Sequence, residues 1–315
     1  MRQSMLFCGI DGGGTSTSVV ICNKRGEILS SFKADTINHY GVGLKKAREN
    51  YEFIKDRLIA LIGNEPDITY IGNSALDGKA TCELVEQLVG GIFNKKVIMH
   101  SDVYIALLGF TQDASGALLI SGTGSMACAV DHEKKYYTSG GWGQTLGDEG
   151  SGYHLGLMGI RAALQYHDQM APPTVLLEFL KDFYKINRLS DMIELVYNPP
   201  IEKSRIAAFA VEVEKAALLN DEVSIHLIDN EVDWLFRLAQ SILEKSGVTR
   251  LGLYGSMLVK SQMIGRQLTS RYSGFGIEVS YPRFKPEIGA LFGAFSNENI
   301  PINVEIINNL SKGGF

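Results

Sequence analysis

The chain begins with short apolar runs separated by glycine-rich or polar turns. Leu6–Ile10, Ser18–Cys22 and Glu27–Phe32 are three such runs, with Asn23-Lys24-Arg25-Gly26 as one of the turns. They read as a β-meander. At Leu44 the period changes. Leu44, Ala47, Tyr51, Ile54, Leu58 and Leu61 recur at helical spacing, so a helix is predicted over Leu44–Ile62, stopped by Gly63. A strand at Ile68–Ile71, a helix at Ala80–Val89, a strand at Lys96–Met99 and a helix at Tyr104–Phe110 follow. Strands that alternate with helices predict an α/β fold with parallel pairs.

The opening pattern then returns. With a shift of 110 residues, Ile10-Asp11-Gly12-Gly13-Gly14-Thr15 falls on Ile120-Ser121-Gly122-Thr123-Gly124-Ser125. Val20 falls on Val130, and Asn23-Lys24-Arg25 on Glu133-Lys134-Lys135. Each copy is strand, Gly-rich loop with a hydroxyl, strand, polar turn, strand. An internal repeat of this kind predicts two related α/β domains, divided near Gln112–Gly116 into 1–114 and 115–285. Beyond it, helices are expected at Gly152–His167, Thr174–Tyr184, Ser190–Tyr197, Lys203–Leu219 and Val223–Lys245. They form a helical insertion at about 152–246, punctuated by Pro172-Pro173 and Pro199-Pro200. Leu251–Gly255 is a strand, Met257–Arg271 a helix, Ile277–Tyr281 a strand and Glu287–Phe295 a last helix after Pro286, with a polar tail behind it.

Composition narrows the function. The 34 glycines among 315 residues are concentrated. Four lie in Gly9–Gly14, nine between Gly122 and Gly156, and none between Ile160 and Ser246. Glycine is costly inside elements, so these clusters mark backbone that must turn sharply or approach a ligand. The net charge of −5 argues against nucleic-acid or anionic-membrane partners. The N-terminus lacks the apolar stretch of a signal peptide, and no apolar run approaches a membrane span, which predicts a cytoplasmic protein. Cys8, Cys22, Cys82 and Cys128 form no CxxC pair and read as reduced thiols. The six histidines show no zinc-binding spacing.

Five segments carry candidate chemistry. Asp11-Gly12-Gly13-Gly14-Thr15 puts a carboxylate beside a turn whose N–H groups can cradle an anion, a pairing that suits Mg²⁺ with phosphate; it also suits a plain hairpin. Ser121-Gly122-Thr123-Gly124-Ser125 occupies the equivalent place in the second half, and two such loops would face one another across a cleft. Gly122–Ala127 fits the dinucleotide fingerprint, but hairpin residues follow it instead of a helix, so that motif is rejected. Gly72–Lys79 likewise fails the P-loop spacing. Asp102, at the end of a strand and before a helix, reads either as a general base or as a helix N-cap; His100 beside it reads as structural. Gly140-Gly141-Trp142-Gly143-Gln144-Thr145-Leu146-Gly147-Asp148-Glu149-Gly150-Ser151-Gly152 is poor core material and a good ligand wall, with Trp142 to stack on a flat face and Asp148 to accept hydroxyls. Leu253-Tyr254-Gly255-Ser256 is a strand-to-helix glycine turn suited to a nucleotide.

Taken in order, these motifs resemble the N-acetylglucosamine kinase family, in the BadF/BadG/BcrA/BcrD group of the actin-like ATPase superfamily of sugar kinases. The resemblance is strongest from Gly9 to about Gly156, with support at Gly252–Ser256 and Pro286–Gly293. It implies two RNase H-like domains around a central cleft, the second enlarged by helices, with the helix 286–300 packing back on the first. It implies ATP-dependent transfer to the 6-hydroxyl of an amino sugar such as N-acetylglucosamine, glucosamine or N-acetylmuramic acid, with ATP and Mg²⁺ as cofactors. Asp11 would serve the Mg²⁺ side. Gly12, Gly13, Gly14, Thr15, Gly122, Thr123 and Gly124 would surround phosphates, and Gly255 and Ser256 would border the nucleotide. Asp102 would be the catalytic base. Asn38, Ser74, Asp102, Thr123, Trp142, Gly143 and Asp148 would line the sugar. The turn Gly72–Gly78 departs from the family's glycine-rich pattern, which leaves the sugar open along with any part for Glu149 or Asp77; a homodimer is compatible with all of this.

Two other readings are distinct in kind. The fold also serves ATPase activators of radical dehydratases, but these need cysteines that hold an iron–sulfur cluster between subunits, and neither Cys82 nor Cys128 looks placed for it. A sugar-sensing regulator would need a DNA-binding segment, for which the first strand at Leu6 leaves no room; the cysteine cluster of ROK kinases is absent as well.

Overall fold

The three opening runs form the antiparallel strands Leu6–Gly12 (β1), Ser16–Asn23 (β2) and Ile28–Asp35 (β3) in a computed structural model that describes residues 5–198 and 200–312. On its other edge β1 takes Ile68–Asn73 (β4) in parallel, and β4 takes Lys96–Ser101 (β5) in parallel, giving the order β3-β2-β1-β4-β5. The helices between are His39–Val42 (α1), Leu44–Ile62 (α2), Cys82–Val89 (α3) and Asp102–Thr111 (α4). Both faces of the sheet are covered, so its central strands are apolar on both sides. Cys8, Ile10, Val19 and Ile21 point to one face and meet Tyr51, Ile54 and Leu58 of α2. Phe7, Val20 and Cys22 point to the other and meet Ile105, Phe292 and Phe295.

The second sheet repeats this connectivity. Gly116–Ser121 (β6), Ser125–Val130 (β7) and Tyr136–Gly140 (β8) form the antiparallel part. Arg250–Tyr254 (β9) and Glu278–Ser280 (β10) add in parallel, giving the order β10-β9-β6-β7-β8. The intervening helices are Gly152–His167 (α5), Leu176–Tyr184 (α6), Asp191–Tyr197 (α7), Lys203–Ala208 (α8), Ala210–Leu218 (α9), Glu222–Ser246 (α10), Ser256–Val259 (α11) and Ile264–Tyr272 (α12). They share a core in which Leu155, Phe209, Val213 and Leu235 are buried against Leu119 and Ala127 of the sheet. Pro286–Asn297 (α13) and Val304–Lys312 (α14) complete the chain. Two compact units result: the segments before Ser115 and after Tyr281 make one, and residues 115–281 the other.

Three expectations need correction. The helix over Lys203–Leu219 is two helices, because Phe209 is fully buried and its N–H turns back to the Ile206 carbonyl at 3.0 Å in a tightened turn. The helix over Met257–Arg271 is interrupted at Ser261, whose Oγ accepts from the N–H groups of Met263 and Ile264 and so starts α12 afresh. The polar tail is instead the helix α14, which buries Ile306 and Leu310 at helical spacing against the first unit's core. Pro199, expected to punctuate the helices, lies outside the described residues. Among the described residues no helix is long and apolar enough to cross a membrane.

Candidate active site

In the first unit the carboxyl ends of three parallel strands stand side by side. Asp11 of β1 pairs in register with Gly72 of β4, and Gly72 with His100 of β5. Asp102 follows as the first residue of α4. Ser101 is the N-cap, its side chain accepting from Tyr104 N–H, so the capping role falls to the serine and not to Asp102. The Asp102 Oδ1 accepts from Val103 N–H at 2.7 Å. Burial raises its carboxyl above the ordinary value, opposed by the backbone N–H groups of Val103 and Asp102 itself. Gly72 allows α4 to lie over the strand end, since a Cβ there would stand 2.2 Å from Ile105 Cδ1 and 3.2 Å from Asp102 Cα. His100 is structural: burial and then Lys79 push its ring down to about 4, and it stacks on Tyr104 at 3.8 Å.

Burial, and then the charges of Glu287 and Asp102, push the Asp11 carboxyl from 3.8 up to about 7. Among the described residues no three side chains form a ready metal cage. Mg²⁺ needs none, because it takes one or two carboxylates and fills its octahedron with phosphate oxygens and water. Asp11 fits that use, as a cation relieves the repulsion among the three carboxylates. A carboxyl raised on folding disfavours the folded state once it ionises. Its unfolded value is near 3.8 and its folded value about 7, so the penalty grows between those two pH values and is constant above them. The melting temperature of wild type relative to Asp11→Asn is therefore expected to fall over that pH window and then level off, as thermal melts at stepped pH will read.

The hairpin turn between β1 and β2 is tight, with Gly13 N–H donating to Ser16 O at 3.0 Å. Gly14 has open space where a side chain would be, and Thr15 is exposed. Asn38 and Ser74 are brought together: Asn38 Nδ2 donates to Ser74 Oγ at 2.9 Å, while Asn38 Oδ1 caps α1. Both are anchored to the same turn, since Thr36 Oγ1 donates to Gly13 O and Ser74 N–H to Gly12 O. Asn73 underlies them, fully buried, with its Nδ2 on Ile37 O and Tyr51 Oη. Asp77 is exposed.

In the second unit, the turn Gly122–Ser125 joins β6 to β7 and is gripped by the segment after Gly147. Ser125 N–H donates to Asp148 Oδ1 at 3.1 Å, Ser125 Oγ to Glu149 O at 2.6 Å and Ser121 Oγ to Gly150 O at 2.6 Å. At the start of α5, Gly152 N–H donates to Gly122 O at 2.8 Å. Gly255, at φ +103°, passes so close to β6 that a Cβ would meet Ser121 O at 2.3 Å. This places Ser256 beside Gly122. Gly122, Thr123 and Ser256 also line a cavity of about 430 Å³ with Ala207, Val211 and Met257. Trp142 is 73% exposed, and Gly143 beside it has open space. Asp148 is buried, with Oδ2 paired to Lys203 Nζ. Cys8, Cys22 and Cys128 are buried; Cys82 is exposed.

Sequence reasoning missed four residues here: Asn73, Glu287, Lys203 and Glu231. Glu231 is fully buried in α10, where its Oε2 accepts from Gly150 N–H and its Oε1 pairs with His154 Nδ1, each at 2.6 Å. That hydrogen bond is the main cause that raises His154 above its ordinary value. The available signal was an acid at helical spacing between Ile228 and Leu235, on the face of α10 that is buried.

The sequence profile of the BadF/BadG/BcrA/BcrD ATPase family matches residues 8–294. An N-acetylmuramic acid/N-acetylglucosamine kinase of Clostridium acetobutylicum is 30% identical over 240 residues, 75% of this chain and 78% of that protein. An N-acetyl-D-glucosamine kinase of Dictyostelium discoideum is 30% identical over 259 residues, 78% of this chain and 81% of that protein. Among solved structures, a candidate N-acetylglucosamine kinase of Chromobacterium violaceum has a TM-score of 0.71 at 20% identity, covering 91% of this chain and 98% of that one. A ROK hexokinase of Thermus thermophilus has a TM-score of 0.60 at 14% identity, covering 94% and 100%. At these identities the two structures show the shared fold.

Proposed function

The chain belongs to the BadF/BadG/BcrA/BcrD ATPase family, and from that premise we propose that it is an ATP-dependent kinase for the 6-hydroxyl of an amino sugar, N-acetylglucosamine first. The observation that carries this is the partly desolvated Asp102 carboxylate at the carboxyl end of parallel strands, in a chain 30% identical to two named amino-sugar kinases. In open α/β sheets that end is where ligands gather.

Phosphoryl transfer asks for positioning and charge neutralisation more than for covalent chemistry. Asp102 accepts the proton of the sugar 6-hydroxyl as that oxygen attacks the terminal phosphorus of ATP; the bond from that phosphorus to the bridging oxygen breaks, and ADP leaves. A carboxyl raised toward neutrality is the better matched base. The residues offered to the sugar are Asn38 and Ser74 in the first unit; the second unit offers Thr123, Trp142, Gly143 and Asp148. Gly12–Thr15 in the first unit and Gly122–Gly124 in the second each offer N–H groups to phosphate oxygens, and Gly255 and Ser256 border the nucleoside in the second unit's cavity. Mg²⁺, held by Asp11 with phosphate oxygens, would supply neutralising charge. ATP as donor fits a cytoplasmic site of action.

The test is sugar-dependent ADP release on a panel of N-acetylglucosamine, N-acetylmuramic acid, glucosamine and glucose. The highest kcat/KM is expected on N-acetylglucosamine; release that no amino sugar stimulates would refute the reading.

A further inference from the structure

Lys203 opens α8, and no motif in the sequence marks it. Its Nζ pairs with Asp148 Oδ2 at 2.5 Å. The other oxygen of Asp148 accepts from Ser125 N–H at 3.1 Å, so the carboxylate ties the lysine to the turn Gly122–Ser125. The ammonium stands 3.3 Å from where a Gly124 Cβ would be, and 5.7 Å from the Tyr153 ring centre. A side chain at Gly124 would crowd the pair, since its Cβ would also stand 3.0 Å from Asp148 Oδ1. The lysine side chain keeps 31% exposure against 4% for the aspartate. The acid is therefore the fixed member of the pair, and the cation is the one a ligand can reach.

The neighbouring residue, Ser204, lines the cavity of about 430 Å³ together with Gly122, Thr123 and Ser256. Its walls are mostly apolar, through Ala207, Val211 and Met257, and its size suits a nucleoside. Phosphates attached to a nucleoside held there would leave it past Gly122, Thr123 and Gly124, and arrive at Lys203. An ammonium on a flexible stem is the usual point-charge partner for phosphate oxygens.

We propose that Lys203 is a phosphate-binding residue of the nucleotide site, aimed by Asp148, and that its charge selects nucleoside polyphosphates over nucleosides. The assignment rests on the reading of the chain as an ATP-dependent kinase. It gives Asp148 a task within its own unit, that of positioning Lys203, besides any contact with a sugar. An ion pair that served only to hold α8 to the loop would not distinguish a nucleoside from its diphosphate.

That difference sets the experiment. Binding of ADP and of adenosine is measured by calorimetry on wild type, Lys203→Met and Lys203→Arg. Loss of a charge-assisted hydrogen bond to phosphate predicts ADP binding about 10- to 100-fold weaker in Lys203→Met, with adenosine binding unchanged. Lys203→Arg should recover most of the ADP affinity. ADP binding unaltered in Lys203→Met would overturn the proposal, and so would a parallel loss of ADP and adenosine, which would mark a structural role. If wild type bound neither ligand, the kinase reading itself would fall and this assignment with it.

Discussion

Asp102→Asn is expected to cut turnover about 100- to 10,000-fold and to leave the KM for the sugar close to that of wild type. The substitution keeps the shape and keeps an oxygen able to accept from Val103 N–H, the bond that fixes the side chain at the start of α4. It removes the negative charge and with it the lone pair basic enough to take a proton. The helix loses no cap, because Ser101 provides it. A melting temperature no lower than that of wild type, with collapsed turnover, is therefore the signature of a base. The raised carboxyl adds a second sign: activity should fail on the acid side at a higher pH than an ordinary carboxylate would give, because protonated Asp102 cannot act. Turnover near wild type in the variant would remove Asp102 from the chemistry.

The largest stability effect is expected at Gly289→Ala. A Cβ there would lie 1.8 Å from Ile105 O and 2.6 Å from Gly109 N, both backbone atoms of α4 that cannot swing aside. Overpacking of this kind costs about 1–3 kcal/mol, and contact with rigid backbone puts this site at the upper end. The gain of roughly 1 kcal/mol in helix propensity on replacing glycine does not offset it. A drop of roughly 4–8 °C in melting temperature is the expected reading. Gly78→Ala, with nothing near the new methyl, should stay within about 0.5 kcal/mol of wild type. Because α4 carries Asp102 at its first turn, Gly289→Ala should lower turnover as well.

Much of this fold was legible because it is local. The spacing of Leu44 to Leu61 and the stop at Gly63 delimit α2, and the run from Gly152 to His167 delimits α5. The repeat between the two glycine loops foretold two sheets of like order, since alternation and turns are nearest-neighbour signals. What escaped is set by contacts distant in sequence. Glu287 acts on Asp11 through α13, whose start is brought to β1 by the absence of a side chain at Gly9, where a Cβ would meet Glu287 O at 2.2 Å. Lys203 reaches Asp148 across 55 positions, and Glu231 reaches Gly150 across 81. A single residue offers no pattern for such a pairing. Helix α14 was hidden for a different reason: its two buried residues, Ile306 and Leu310, stand among asparagine, serine and lysine.

The proposed reaction moves the terminal phosphoryl group of ATP to the 6-hydroxyl oxygen of an amino sugar. It is tested most directly by ³¹P-detected NMR of the products from ATP, Mg²⁺ and N-acetylglucosamine. One new phosphomonoester is expected, coupled to the two protons on carbon 6 and equal in amount to the ADP formed. Inorganic phosphate as the only new signal beside ADP, with the sugar unaltered, would contradict it.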